Sequence, residues 1–234
     1  MILCLETATP VCSVAICDNK GVICLKESGE GKSHASLLTP FIDTVLSEAG
    51  IKAEKLEAIA VSKGPGSYTG LRIGVSTAKG IAYAASLPLI AVETTFSMFH
   101  GFIGKAQERY GVSAGDLFCP ILDARRMEVY YTVLDPEGRT IKGISAEVIH
   151  KNSFIGFPAS SRIFFFGDGA LKCKNVIERT NSVFADDFKI SAAYMLNPAY
   201  AALESKQFED VAYFEPFYLK DFIATKNVKN ILGK

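Results

Sequence analysis

The chain has 234 residues, 49% of them hydrophobic and 21% charged, which is ample apolar material for one or two packed domains. Its 25 basic side chains are balanced by 25 acidic ones, so it lacks the global positive field of a protein that holds nucleic acid unaided. No apolar run is long enough to span a bilayer and no basic leader follows Met1, so neither a membrane anchor nor a secretion signal is expected, and the expected compartment is the cytoplasm.

Three strands are predicted first, over Ile2–Glu6, Cys12–Cys17 and Val22–Lys26, with Asp18 to Gly21 as a hairpin turn. Cys4, Cys12, Cys17 and Cys24 fall in these β-rich segments and read as buried small hydrophobes of a reducing compartment. None of the six cysteines forms a Cys-x-x-Cys pair, so no structural zinc is expected. Leu37, Leu38, Phe41, Ile42, Val45, Leu46 and Ala49 recur at helical spacing and predict a helix over Ser36–Ala49, ended by Gly50, with Pro40 in its first turn or at a kink.

Strand Leu56–Val61 then leads into the most informative stretch, Ser62 to Gly74, which holds four glycines and Pro65 and runs into a helix over Thr69–Ala85. Such a loop brings bare backbone N–H groups close to a ligand or another polypeptide, or is simply a strand-to-helix turn that needs glycine. Leu71 and Arg72 follow Gly70 where a phosphate-binding loop has lysine and a hydroxyl, and the spacing is not that of a dinucleotide fingerprint. Strand Leu89–Val92 and helix Thr95–Ile103 complete the half.

The second half repeats the order: strands Leu117–Leu122, Glu128–Leu134 and Thr140–Val148, a helical patch near Lys151, strand Arg162–Phe166, helix Ala170–Arg179, a strand near Phe184 and helix Ala192–Ser205. A β-β-β-α-β-α-β-α order met twice predicts an α/β protein of two similar domains, residues 1–104 and 105–219 with the boundary in the glycine- and charge-rich stretch Gly104 to Ser113, with mixed sheets and a cleft between them. Residues 220–234 read as a tail whose lysines, Lys220, Lys226, Lys229 and Lys234, either meet RNA phosphate or belong to a frayed end.

Three stretches together resemble one family: Leu5 to Thr9 with Cys12 to Ala15, the Gly64 to Gly74 loop, and Asp123 to Tyr130, joined by Pro216 to Lys220. They are similar to the TsaB (YeaZ-like) family of the glycoprotease-like, peptidase M22-type superfamily, accessory subunits in tRNA threonylcarbamoyladenosine synthesis. The resemblance implies a duplicated actin-like or sugar-kinase-like ATPase fold. It also implies a non-catalytic role, in which the chain dimerises with and activates a catalytic paralogue, TsaD, that transfers threonylcarbamoyl to adenosine 37 of tRNA. A small P-loop ATPase, TsaE, joins the assembly; tRNA is met through the complex; homodimers form through the same first-domain helices. No cofactor is implied for this subunit, with a nucleotide (ATP or ADP) at the complex boundary left open.

Glu6 stands where the family more often has aspartate, and its longer side chain would crowd a phosphate or metal at the first hairpin. The catalytic paralogue's His-x-x-x-His metal positions fall on Thr94 and Met98, which cannot replace imidazoles, so no metal is expected. His34 resembles the family's histidine before the first long helix and either caps that helix or meets a neighbouring chain. Ser67 is not in a nucleophile elbow and lacks a placed histidine and carboxylate, so no catalytic residue is assigned. Asp123 either lies beside nucleotide phosphate, as carboxylates do in actin-like ATPases, or closes a strand turn with Arg125. The candidate nucleotide-facing set is Thr7, Gly64, Gly66, Ser67, Asp123, Gly167 and Gly169.

Gly70, Gly74, Ala78 and Ala82 recur every four residues and make one helix face shallow, either for packing inside the domain or for close approach of a partner helix. Leu71 and Val75 supply apolar area and Arg72 and Lys79 a charged rim, so Gly70, Leu71, Arg72, Gly74, Val75, Ala78 and Lys79, with Leu38, Ile42 and Val45, form the candidate partner interface. Two other readings remain: an independent actin-like ATPase or small-molecule kinase, and a metallopeptidase.

Overall fold

The computed structural model describes residues 1–28 and 34–220. In the first sheet, β1 (Ile2–Glu6), β2 (Cys12–Asp18) and β3 (Gly21–Ser28) form an antiparallel meander. The turn before β3 is held by Asp18 Oδ1, which accepts the Lys20 and Gly21 N–H groups at 2.8 and 3.0 Å. Helices α1 (His34–Ala49) and α2 (Tyr68–Ala85) return the chain so that β4 (Ala58–Gly64) and β5 (Leu89–Glu93) add in parallel, giving the order β3-β2-β1-β4-β5.

Every residue of β1 is buried, because both faces of this sheet are covered. Leu3 and Leu5 face α1 and α2, which contribute Leu38, Ile42, Val45, Val75, Ala78 and Ala82. Ile2 and Cys4 face the other way, against Ala192, Met195 and Ala199. Those three come from a 3-10 turn (Ala192–Met195) and a C-terminal helix, Leu196–Glu204, that return from the far end of the chain. Cys4, Cys12 and Cys17 are buried and Cys24 is partly buried, all as free thiols, as their strand positions predict.

The second sheet follows α3 (Thr94–Tyr110). It contains β6 (Leu117–Asp123), β7 (Glu128–Leu134), β8 (Thr140–Val148), β9 (Ile163–Phe166) and β10 (Ser182–Ala185) in the order β10-β9-β6-β7-β8. One face packs with α4 (Ala170–Lys174), Phe154 and Ile177. The other packs on α3 through an aromatic cluster in which the rings of Phe102 and Phe166 stack 4.2 Å apart and those of Phe99 and Phe118 meet edge-on at 5.4 Å. The two predicted mixed sheets are therefore present.

Within the expected boundary region, Gly104 to Ser113, α3 runs on to Tyr110 and ends at Gly111. Three expectations need correction. Residues 192–218 belong with the first sheet rather than with a domain spanning 105–219. The apolar face of that sheet needs them as cover, and Ala192, Glu209 and Phe217 donate their N–H groups to Ser13 Oγ, Leu89 O and Lys63 O. Helix α4 is one short element rather than a helix to Arg179, because the Arg179 guanidinium turns away to hold the carbonyls of Phe154, Phe157, Pro158 and Ser161. The segment near Lys151 forms turns rather than a helix. Pro40, expected in the first turn or at a kink, lies in the interior of α1. Lys226, Lys229 and Lys234 lie outside the described residues.

Candidate functional site at the cleft between the sheets

The β1–β2 hairpin turn, Glu6 to Val11, sits at the cleft floor, with Glu6, Thr7, Ala8 and Thr9 all buried. The glycine loop closes over it. Gly66 passes so near that a β-carbon there would stand 2.4 Å from the Ala8 carbonyl oxygen, and one at Gly70 would stand 2.1 Å from the Thr7 carbonyl oxygen. At Gly64, with φ of 113°, only glycine is unstrained, and a β-carbon would meet the Phe217 carbonyl oxygen at 2.6 Å. Glycine is needed here for close packing of backbone on backbone.

Two of the loop amides that could cradle an anion are already engaged. Ser67 N–H donates to Ala8 O at 2.6 Å, and Gly70 N–H donates to Ser67 Oγ at 3.2 Å, making Ser67 the N-cap of α2. A serine ahead of a helical pattern is a start signal that would have moved the predicted α2 boundary back to Tyr68. Thr7, Gly64, Gly66 and Ser67 lie in a junction where backbone packs closely on backbone.

Glu6 is the most perturbed acid of this floor. Burial pushes its carboxyl up to about 7, against the opposing effect of the Ala8 N–H, which donates to Oε1 at 2.7 Å. Among the described residues its Oε2 has no hydrogen-bond partner, and neither do the buried hydroxyls of Thr7, Thr94 and Ser97. Thr94 and Met98, at the positions where the resemblance places metal ligands, do not suit one. Met98 is a thioether packed among aromatics, with its Cε 2.4 Å from where a β-carbon on Gly167 would be.

Across the cleft, Gly167 and Gly169 face Ile121 too closely for any side chain, and Gly169 N–H donates to Ile121 O at 3.1 Å. Asp168 Oδ1 accepts the Asp123 N–H at 3.0 Å; the surrounding protein raises its carboxyl above the usual range, and the Asp123 carboxylate adds to that. Asp123 closes a turn: Oδ1 accepts the Arg125 N–H at 2.7 Å and pairs with Lys172. Lys172 carried no sequence signal for this role. Between the two floors lies a cavity of about 210 Å³, lined by Pro10, Val11, Met98, Phe188 and Ile190 among others, with Lys189 and Asp168 at its polar edge. Its apolar lining suits neither triphosphate nor metal.

His34 neither caps α1 nor stands free. Its Nε2 carries the proton and donates to the carbonyls of Thr9 (2.9 Å) and Val11 (3.2 Å), tying α1 to the floor hairpin. The predicted partner interface divides sharply. Leu38, Ile42, Val45, Gly70, Leu71, Gly74, Val75 and Ala78 are buried within their own domain, because the small-residue stripe lies on Thr7; a β-carbon on Gly74 would be 2.2 Å from Thr7 Oγ1. Lys79 donates to the carbonyls of Ala212 and Phe214. Arg72 alone of that set is exposed, on the outer face of α2 with Ser76, Gly80 and Tyr83.

Comparisons with known proteins agree with this architecture. The family model for TsaD, tRNA N6-adenosine threonylcarbamoyltransferase, matches residues 28–228. The chain is 28% identical to the tRNA threonylcarbamoyladenosine biosynthesis protein TsaB of Haemophilus influenzae over 97% of this chain and 96% of that one. YeaZ from Pseudomonas aeruginosa superposes with a TM-score of 0.78 at 24% identity, covering 93% and 99% of the two chains. The activator of 2-hydroxyisocaproyl-CoA dehydratase from Clostridium difficile, with bound ADPNP, shares the fold at a TM-score of 0.50 and 8% identity, over 88% and 96%. With two mixed five-stranded sheets of the actin-like ATPase type and a family match over most of its length, the chain belongs to the TsaD family of tRNA threonylcarbamoyladenosine biosynthesis, where it resembles the TsaB, YeaZ-like members.

Proposed function

We propose that this chain is the non-catalytic partner subunit for threonylcarbamoyl transfer to tRNA in the cytoplasm, acting by binding and activating the catalytic paralogue TsaD, with TsaE as a further member of the assembly. The observation that carries the reading is the state of the cleft floor. The Ser67 amide of the glycine loop is spent on the chain's own hairpin and the Gly70 amide on the Ser67 side chain, and the positions of the paralogue's metal ligands hold a hydroxyl and a thioether. The scaffold of an ATPase is kept while the groups that would hold phosphate or metal are turned to internal packing. On this reading the subunit needs no cofactor of its own, and any ATP or ADP is bound at its boundary with the paralogue.

Activation then requires that the chain bind the competent state of its partner more tightly than the incompetent one; about 1.4 kcal/mol of differential affinity shifts the equilibrium tenfold. The docking face we assign is the outer side of α2, where Arg72, Ser76, Gly80 and Tyr83 are exposed and a β-carbon on Gly80 meets nothing within 4 Å. This face also serves a homodimer. Reconstitution of tRNA threonylcarbamoylation with TsaD and TsaE tests the role: product forms with this chain, falls by at least tenfold without it, and is absent with this chain alone. Modification by the lone chain overturns the reading. Gly80→Leu keeps the fold and weakens association with TsaD; unchanged association places the interface elsewhere.

A further inference from the structure

The chain has seven arginines, and five are engaged through their side chains. Arg72 donates to Tyr68, Arg109 to Asp187, Arg139 to Asp135 and Glu137, Arg162 to Asp116, and Arg179 to backbone carbonyls. Arg125 and Arg126 are the exception among the described residues. They sit side by side at the tip of the β6–β7 turn, both exposed, with neither guanidinium hydrogen-bonded to another described residue. Both also have left-handed backbone, φ of 71° and 49°, a conformation that strains a non-glycine residue.

The strained turn is held from beneath. Asp123 Oδ1 accepts the Arg125 N–H at 2.7 Å, Arg125 O accepts the Glu128 N–H at 3.1 Å, and Ala124 N–H donates to Glu128 O at 3.1 Å. Lys172 Nζ, from α4, donates to the carbonyls of Arg126 (2.8 Å) and Glu128 (2.6 Å) while pairing with Asp123. Lys220 pairs with Glu128. The acids of the turn are thus neutralised by the two lysines, and two positive charges are left over on a backbone that is fixed in place. A protein-docking site needs an apolar centre, but the turn's apolar members, Ala124 and Met127, are partly buried. Adjacent guanidiniums with their donor forks free suit phosphodiester oxygens.

We infer that the Arg125–Arg126 turn contacts the phosphate backbone of the tRNA directly, so that this chain extends the substrate-binding surface of the modifying complex. The inference rests on the tRNA-modification reading. It is tested in the reconstituted complex with Arg125→Gln/Arg126→Gln, whose side chains keep the polar reach and backbone demands while losing both charges. The expected result is a tRNA KM raised about tenfold with kcat retained, and a log–log salt slope of tRNA binding shallower by about two, one for each phosphate contact. Arg125→Lys/Arg126→Lys restores the slope.

An unchanged KM and slope in a variant with the parent's melting curve overturns the inference. So does loss of TsaD association with tRNA binding intact, which would make the turn a contact for an acidic protein surface. A parent complex that binds tRNA but does not modify it sinks the proposed function instead, and the salt slopes of parent and variant still decide the role of the turn.

Discussion

The two strand turns at corresponding places in the two sheets have opposite fates. Between β1 and β2, Glu6 to Val11 is buried under the glycine loop, with His34 and Ser67 bonded to its carbonyls. Between β6 and β7, Asp123 to Met127 stays open, held from below by Lys172 and presenting two guanidiniums to solvent. The same hairpin topology is thus a packed floor in one half and an exposed charged tip in the other. What decides is the element laid over it: α2 starts on the first turn, whereas the short α4 lies beneath the second. A duplicated scaffold retains its strands while the turn function follows from the cover.

This contrast breaks most visibly at Gly70. Alanine there drives a methyl into a backbone carbonyl that cannot move without shifting the β1–β2 turn. The expected loss is about 3 kcal/mol, or roughly 6 to 12 °C in Tm, read by thermal or urea unfolding. A variant as stable as the parent would mean that the loop is not packed on the hairpin. The arginine variants of the other turn leave Tm unchanged.

Glu6 sharpens the comparison through pH. Its folded-state pKa of about 7 lies above the ordinary glutamate value, so between those limits the native state binds more protons than the unfolded chain. The stabilising contribution is therefore complete at pH values below the unfolded pKa and is lost as pH rises through 7. Glu6→Gln removes the dependence. The difference in unfolding free energy between parent and variant should change by on the order of 3 kcal/mol from about pH 4.5 to above 7. Parallel stability curves across that range would show that Glu6 is not held protonated by burial.

The smallest expected effect lies on the opposite face of α2. Gly80→Ala meets open space and replaces a poor helix former, so it should raise stability by about 1 kcal/mol, or roughly 2 to 4 °C in Tm. Opposite signs for Gly70→Ala and Gly80→Ala would establish the sidedness of the helix. A destabilising Gly80→Ala would contradict an open outer face.

The linear pattern of residues determined most of the elements, though not the short α4 or the turns near Lys151. Alternation and turn chemistry placed the strands, the 3.6-residue period placed α1 and α2, and the doubled order implied two mixed sheets; the motifs at Gly64 to Gly74 and Asp123 to Tyr130 carried the family. Direction was not legible. Gly70, Gly74 and Ala78 present the same shallow stripe whether it faces a partner or Thr7, because spacing defines a face of a helix but not its neighbour. The return of residues 192–218 to the first sheet, the Lys172 clamp and the stranded charges of Arg125 and Arg126 all depend on contacts between residues tens of positions apart. Only the tertiary structure decided those, since burial and pairing are properties of what the folded chain brings together.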